Sequence, residues 1–235
     1  MKKVFFSLFA VFSLLPILAA PSAEAKESGM ATLMEQGGNT LLVLLILSVF
    51  FMAMSIFLVM TLRAEVLAPT SFIQEAENIA QNHDIEALKT LCRNDKSPAA
   101  KIIGAAAEEV VLNSEASYHA LRDAVEDEGN RQAGALWQRI QYVMDIAVVS
   151  PMIGLLGTVL GMREAFAGLR VDIGSSNPVH LADGVSKAMI TTAAGLILGI
   201  SAMLVHSYFR GRVHDLVSGL ETRCGRVLRI FVSKS

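Results

Sequence analysis

Three threonines are the residues best placed to do chemistry: Thr158, Thr191 and Thr192, each set among apolar neighbours. A hydroxyl both donates and accepts, so it can hold a proton, a water or a small cation where few other polar groups exist. Around Thr158 the chain reads SPMIGLLGTVLGM from Ser150 to Met162, uncharged, with further small residues at Ser150, Gly154, Gly157 and Gly161. On a helix, positions 150, 154, 158 and 162 fall nearly in line, as do 154, 157 and 161, so one side is almost bare backbone plus a hydroxyl. Lipid gives little hydrophobic drive between helices, and close backbone approach through such residues holds them together. A plainer reading makes Thr158 a packing residue that bonds the carbonyl four residues back on its own helix. Around Thr191 and Thr192 the chain reads GVSKAMITTAAGLILGI from Gly184 to Ile200, with Gly195 and Gly199 one and two turns further on. The helix-packing candidates are therefore Gly154, Gly157, Gly161, Gly195 and Gly199.

The surroundings of these stretches place them in a membrane. Apolar residues make up 53% of the 235 and charged residues 18%, with mean hydropathy +0.49, which is too apolar for an ordinary soluble domain. A formal net charge of -2 and the lack of a basic groove interleaved with aromatics argue against a nucleic-acid partner. Cys92 and Cys224 lie far apart without metal-type spacing and read as reduced thiols. No phosphate loop, dinucleotide fingerprint or metal-ligand cluster is present, and the five histidines are scattered, so neither cofactor nor metal is expected.

Lys2 and Lys3, the apolar run Val4 to Leu15, Pro16 and the small-x-small site Ala23-Glu24-Ala25 read as a secretory signal over residues 1–25, cleaved after Ala25; an uncleaved anchor is the alternative. A short segment, 26–39, leads to Thr40–Leu62, twenty-three residues without a charge, which at helical rise span roughly 34 Å and cross a bilayer. Its Leu, Phe and Met bulk suits a lipid-facing helix, with the two later spans as an inner layer. Residues 63–142 are charged and amphipathic and form a helical domain, with Pro69 and Pro98 at helix starts, short helices from about 70 to 93 and a long helix from about 98 into the second span. Glu126, Asp127 and Glu128 read as a solvated helix face or, alternatively, a partner surface. The second span is 143–163, with Asp145 at one mouth, Arg163 and Glu164 at the other, and Pro151 as a kink site. A connection over 164–186, with turn residues Asp172, Gly174, Ser175, Ser176, Asn177 and Pro178, leads to the third span, 187–209, in which His206 reads as interfacial. A tail, 210–235, follows. The 63–142 domain holds eight Lys or Arg and the tail six, against three in residues 163–187 and one, Lys26, in the mature N-terminal segment. By the positive-inside rule the domain and tail are cytoplasmic and the mature N-terminus lies outside. The fold class is all-α: a polytopic membrane protein with three mature transmembrane helices extended by long cytoplasmic helices.

The pair of stretches GLLGTVLG and TAAGL resembles the ExbB, TolQ and MotA proton-channel family, in which a GLxGTVxG segment and a TAxGL segment form the second and third membrane helices. The order of spans, the loop lengths and the orientation extend the likeness to nearly all of the mature chain, and three spans favour an ExbB-type protein over MotA. The resemblance implies a homo-oligomeric ring, pentameric in related proteins, in the bacterial inner membrane around the single helices of an ExbD- or TolR-like partner. Proton flow would drive a TonB- or TolA-like protein that reaches the outer membrane. No acid stands midway through any span, so the titrating carboxylate would come from the partner, with Thr158, Thr192 and Thr191 along the proton pathway. ExbB and TolQ roles, and proton and sodium coupling, both stay open.

One residue departs from the pattern. In many relatives the segment reads GIAEALxATAxGL, with a glutamate five residues before the threonine; here Lys187 stands five residues before Thr192. A cation facing the pore would repel protons and alter or silence the channel, whereas a lysine at a span end can snorkel into the headgroups or pair with an acid. Two other classes follow. A non-conducting scaffold would keep the ring and its packing. An intramembrane enzyme lacks support, since no Ser-His or Asp-Asp pair faces inward.

Overall fold

The computed structural model describes residues 29–82, 84–112, 118–171 and 178–232. The signal and cleavage site proposed at 1–25, and the turn residues Asp172, Gly174, Ser175, Ser176 and Asn177, lie outside the described residues. Seven helices follow in order: α1 (Gly29–Thr61), α2 (Ala64–Leu67), α3 (Thr70–Gln81), α4 (Ile85–Asn94), α5 (Pro98–Leu112), α6 (Tyr118–Val171) and α7 (Pro178–Val232). No strand occurs among the described residues. α1, α6 and α7 are each long and apolar enough to cross a membrane. The protein is an all-α, multi-pass membrane protein.

The short helices expected over 70–93 are α3 and α4, and Asp84 caps α4 with its side-chain Oδ1 accepting from the Ala87 N–H at 3.0 Å. The long helix expected from about 98 is described as α5 and α6, with residues 113–117 outside the described set. Pro98 opens α5, where its missing N–H costs nothing, and Ser97 Oγ accepts from the Ala100 N–H at 3.3 Å.

The chain forms two compact units. The first combines the chain up to Ser55 with Tyr142–His206, and so contains most of α1 and the apolar parts of α6 and α7. In it, α1 buries Leu44, Phe51 and Ser55 and exposes Leu45, Ile46, Val49 and Phe50. The apolar window of α1 is 22% buried, against 33% for α6 and 39% for α7, which leaves the first span the least enclosed. Exposed apolar side chains on every span, such as Met152, Leu155, Met189 and Ile200, fit a surface covered by lipid or by other protein.

The second unit, Ile56–Gln141 with Ser207–Ser235, is built as a water-soluble domain is built. Phe72, Ile73, Ala76 and Ala80 of α3, Leu88 and Cys92 of α4, and Ala99, Ala100, Ile103 and Ala107 of α5 form one core with Leu220, Cys224 and Val227 of α7. Those three α7 residues recur at spacings of four and three, so the helix past the third span carries a buried stripe of its own and does not stop. Arg223 Nη1 donates to the Ala68 carbonyl at 3.1 Å and Arg226 lies 3.8 Å from Glu77, tying this part of α7 to the segment before and within α3.

Burial, and after it the Asp95 carboxylate, push the Cys92 thiol from an ordinary 9.0 up to about 12. The thiolate fraction near neutral pH is then lower by roughly 10³ than for an exposed cysteine. Alkylation of the native protein at pH 7.5 should accordingly leave Cys92 unmodified on a timescale that labels the unfolded chain completely. Rapid labelling would show that this core is not closed. With the folded pKa raised, this group leaves stability unchanged below pH 9 and lowers it as pH climbs from 9 toward 12.

Candidate functional site

Within the first unit, α6 and α7 meet antiparallel along a seam of backbone against backbone. A methyl group placed on Gly195 would lie 2.6 Å from the Ser150 carbonyl oxygen and 3.0 Å from Gly154 Cα. On Gly154 it would lie 3.1 Å from both the Thr191 carbonyl oxygen and Thr192 Cα; on Gly161, 3.1 Å from Ala188 Cβ. Real Cβ atoms do not tolerate the closest of these approaches, so glycine is what lets the helices come this near. Gly184, not singled out from the sequence, belongs to the same seam: a methyl there would meet Ala165 Cβ at 2.6 Å. The periodic run of small residues, continued one turn before Ala188, is the signal that would have found it.

Pro151 fits the seam through a missing atom on its partner. It has no N–H to give the Ala147 carbonyl, and its ring needs room. Gly199 supplies it, since a methyl on Gly199 would sit 2.8 Å from Pro151 Cγ and 2.9 Å from the Ala147 oxygen. Ser150 is fully buried and its hydroxyl donates to the Ile146 carbonyl at 2.5 Å, within its own helix.

The three threonines are disposed differently. Thr192 Oγ1 donates across the seam to the Gly154 carbonyl at 2.9 Å, an interhelical bond worth on the order of 1 kcal/mol in lipid. Thr191, 2% exposed, donates to Ala188 of its own helix at 2.8 Å. Thr158 is half-buried and donates to the Leu155 carbonyl at 2.7 Å, three residues back. Thr191 and Thr192 therefore border Gly157 and Gly154, and Thr158 stands beside that pair without contributing to it. A methyl on Gly157 would collide with Thr191 Oγ1 at 2.5 Å and approach Thr40 Oγ1 at 3.2 Å. Thr40, which the sequence offered only as the start of a span, thus reaches the same notch from α1.

Lys187 is half-buried and engaged in a polar interaction. At roughly 100° per residue it shares a helix face with Thr191, one turn away, and points roughly 140° from Thr192. Asp145 is exposed, and His206 is half-buried and engaged. No group of three potential metal ligands occurs among the described residues.

Two spans packed through bare backbone, with one hydroxyl bonded across the seam, form the membrane part of a multi-pass protein. The chain belongs to the MotA/TolQ/ExbB proton channel family, whose model matches residues 94–222, more than half of its length. It is 53% identical over 58 residues to the Biopolymer transport protein exbB1 of Vibrio cholerae, covering 25% of each chain. It is 30% identical over 149 residues to the Putative biopolymer transport protein ExbB homolog of Methanothermobacter thermautotrophicus, covering 62% of this chain and 49% of the relative. It is 35% identical over 87 residues to the Tol-Pal system protein TolQ of Haemophilus influenzae, covering 37% and 38%. The chain thus spans at most about half the length of these relatives.

The seam makes a direct stability prediction. Gly195→Ala drives a methyl into the Ser150 carbonyl and should destabilise the protein by roughly 1–3 kcal/mol. Gly129→Ala, with nothing within 4 Å of the added atom, should instead gain up to about 1 kcal/mol of helix stability. Thermal unfolding in detergent measures both; a Gly195→Ala midpoint at or above that of the native protein is incompatible with the seam.

Proposed function

We propose that this protein is an ExbB-type subunit of a proton-driven motor in the bacterial inner membrane, with the mature N-terminus periplasmic and the 63–142 domain and the tail cytoplasmic. Copies of the chain form a ring, pentameric as in related proteins, around the single helix of an ExbD- or TolR-like partner, and proton flow energises a TonB-like protein for transport across the outer membrane. The observation that carries this reading is the Thr192 hydroxyl bonded to the Gly154 carbonyl across the seam, a polar pair held in an otherwise apolar bundle. Membership of a proton channel family supports it at the level of the class, and the likeness to exbB1 favours the ExbB role over the TolQ role.

The chain's part in conduction is to hold and pass a proton, not to titrate. Neither apolar core of the two later spans, 146–162 and 188–205, contains an acid, so the partner helix brings the carboxylate. Burying that carboxylate is costly, and threonine hydroxyls facing it lower the cost by hydrogen bonding. Thr158, half-buried on α6, and Thr192 serve that purpose, each turning its proton from a backbone carbonyl to the incoming group. Lys187 faces well away from Thr192 but shares a face with Thr191, and it is the feature that favours the alternative of a non-conducting scaffold.

Proton flux into proteoliposomes holding the chain with its co-expressed single-span partner tests this. Thr192→Val and Thr158→Val should assemble normally and lower flux by on the order of tenfold or more, since each removes a hydrogen bond to a charged group. Full flux in both variants would refute their role, and a well-formed native complex without flux would favour the scaffold.

A further inference from the structure

We infer that Met162, Met189 and Met203 form a wall, on the flank of the seam turned away from α1, that repacks as the single-span partner helix docked there changes its setting; this rests on the proton-conducting reading above. The two flanks of the seam are not alike. The described residues of the first unit belong to α1, α6 and α7, so the face on which α1 buries Leu44, Phe51 and Ser55 lies against the other two. Thr40 marks the side it takes, since its Oγ1 stands 3.2 Å from the Cβ position of Gly157. Measured round α6 from Gly154, which meets Gly195, Gly157 lies roughly 60° to one side, and Thr158 and Met162 roughly 40° and 80° to the other. Measured round α7 from Gly195, Thr191 and Leu198 fall on the side of α1, and Thr192, Met203, Leu196 and Met189 fall between roughly 60° and 120° away on the other. Exposure agrees with this division. Ala194, Leu198 and Ser201, on the side of α1, are half-buried, whereas Met189, Leu196 and Met203 are 67%, 46% and 53% exposed.

The hydroxyls on this flank say what covers it. An apolar side chain in a membrane gains little from a protein neighbour that an acyl chain would not supply, so the methionines alone name no occupant. Thr158 and Thr192 each give their one proton to a carbonyl, of Leu155 and Gly154, and keep oxygen lone pairs that can accept. Acyl chains offer them nothing. An apolar helix carrying one carboxyl group uses both states of such a hydroxyl: as an acid it donates to the lone pairs, and as a carboxylate it accepts the hydroxyl proton.

Those two states place the carboxyl differently, so the wall beside it has to fit more than one position of the helix. Valine and isoleucine are stiff at χ1 and hold one shape. Methionine is unbranched, with three rotatable bonds and a polarizable sulfur, and refills a space that changes. Met162 and Met189 stand toward the end of the seam where Gly161 meets Ala188, and Met203 toward the end where Pro151 meets Gly199, so the two hydroxyls are bracketed. Met152 is as exposed, at 64%, but points roughly 160° from the seam and lies outside the wall.

Cross-linking and flux in the complex with the co-expressed single-span partner test this. Single cysteines at consecutive positions of the partner helix should form disulfides with Leu196→Cys and Met203→Cys, on more than one face of that helix, and none with Leu198→Cys. The native Cys92 and Cys224 are buried and their thiols are pushed up to about 12, which keeps them out of the reaction. Replacing Met162, Met189 and Met203 together by Leu keeps volume and apolarity; it should preserve oligomer size and partner content yet lower proton flux by about threefold or more, while Met152→Leu leaves flux unchanged. Links from Leu198→Cys in place of Leu196→Cys and Met203→Cys, links confined to one face of the partner helix, or full flux in the triple variant overturn the inference alone when the native complex conducts. A native complex with neither links nor flux overturns it together with the proposed function.

Discussion

Inside a bilayer every backbone polar group must be satisfied by protein, and helices there gain almost nothing from hiding apolar surface from one another. Association then depends on how closely two backbones can approach. In this protein that approach is made by glycine: Gly154, Gly195 and Gly199 sit where an added methyl would strike a carbonyl, a Cα atom or a proline ring of the facing helix. The rest of the first unit follows from that contact. Pro151 is tolerated because Gly199 leaves space for its ring, and the leucines, methionines and valines of the same spans are left to face outward.

Close approach also decides what a hydroxyl can bond. Where bare backbones touch, the acceptors within reach are carbonyl oxygens, either on the threonine's own helix or across the seam. Thr158 and Thr191 take the first option, through Leu155 and Ala188. Thr192 takes the second because Gly154 has no side chain to cover its carbonyl. The absence of a side chain is thus what makes Gly154 a binding group, and the same absence at Gly157 admits Thr40 and Thr191 together.

The second unit works by different physics. Its core of Phe72, Ile73, Leu88, Ile103, Leu220 and Val227 is held by the removal of apolar surface from water, and its polar ties, such as Arg223 on the Ala68 carbonyl, occupy the margin. α6 and α7 belong to both units and change pattern along their length, from small residues packed against backbone to apolar residues at helical spacing on a solvated helix.

The sequence by itself determined the class and much of the site. Three uncharged runs of spanning length, glycines at helical spacing and threonines among them are local patterns, and local patterns are legible because helix geometry maps spacing onto a face without reference to anything else. What only the tertiary structure decided is which atoms those faces meet. That Thr192 bonds Gly154, that Pro151 sits on Gly199, that Thr40 comes to Gly157 from the far end of the chain, and that Cys92 and Cys224 share one core all depend on the axial register of one helix against another. Hydropathy is nearly blind to that register, because sliding an apolar helix by a turn leaves its pattern the same while exchanging every contact. Register was set instead by bare backbone and bulky groups fitting at a few positions, and that fit exists only once both helices are in place.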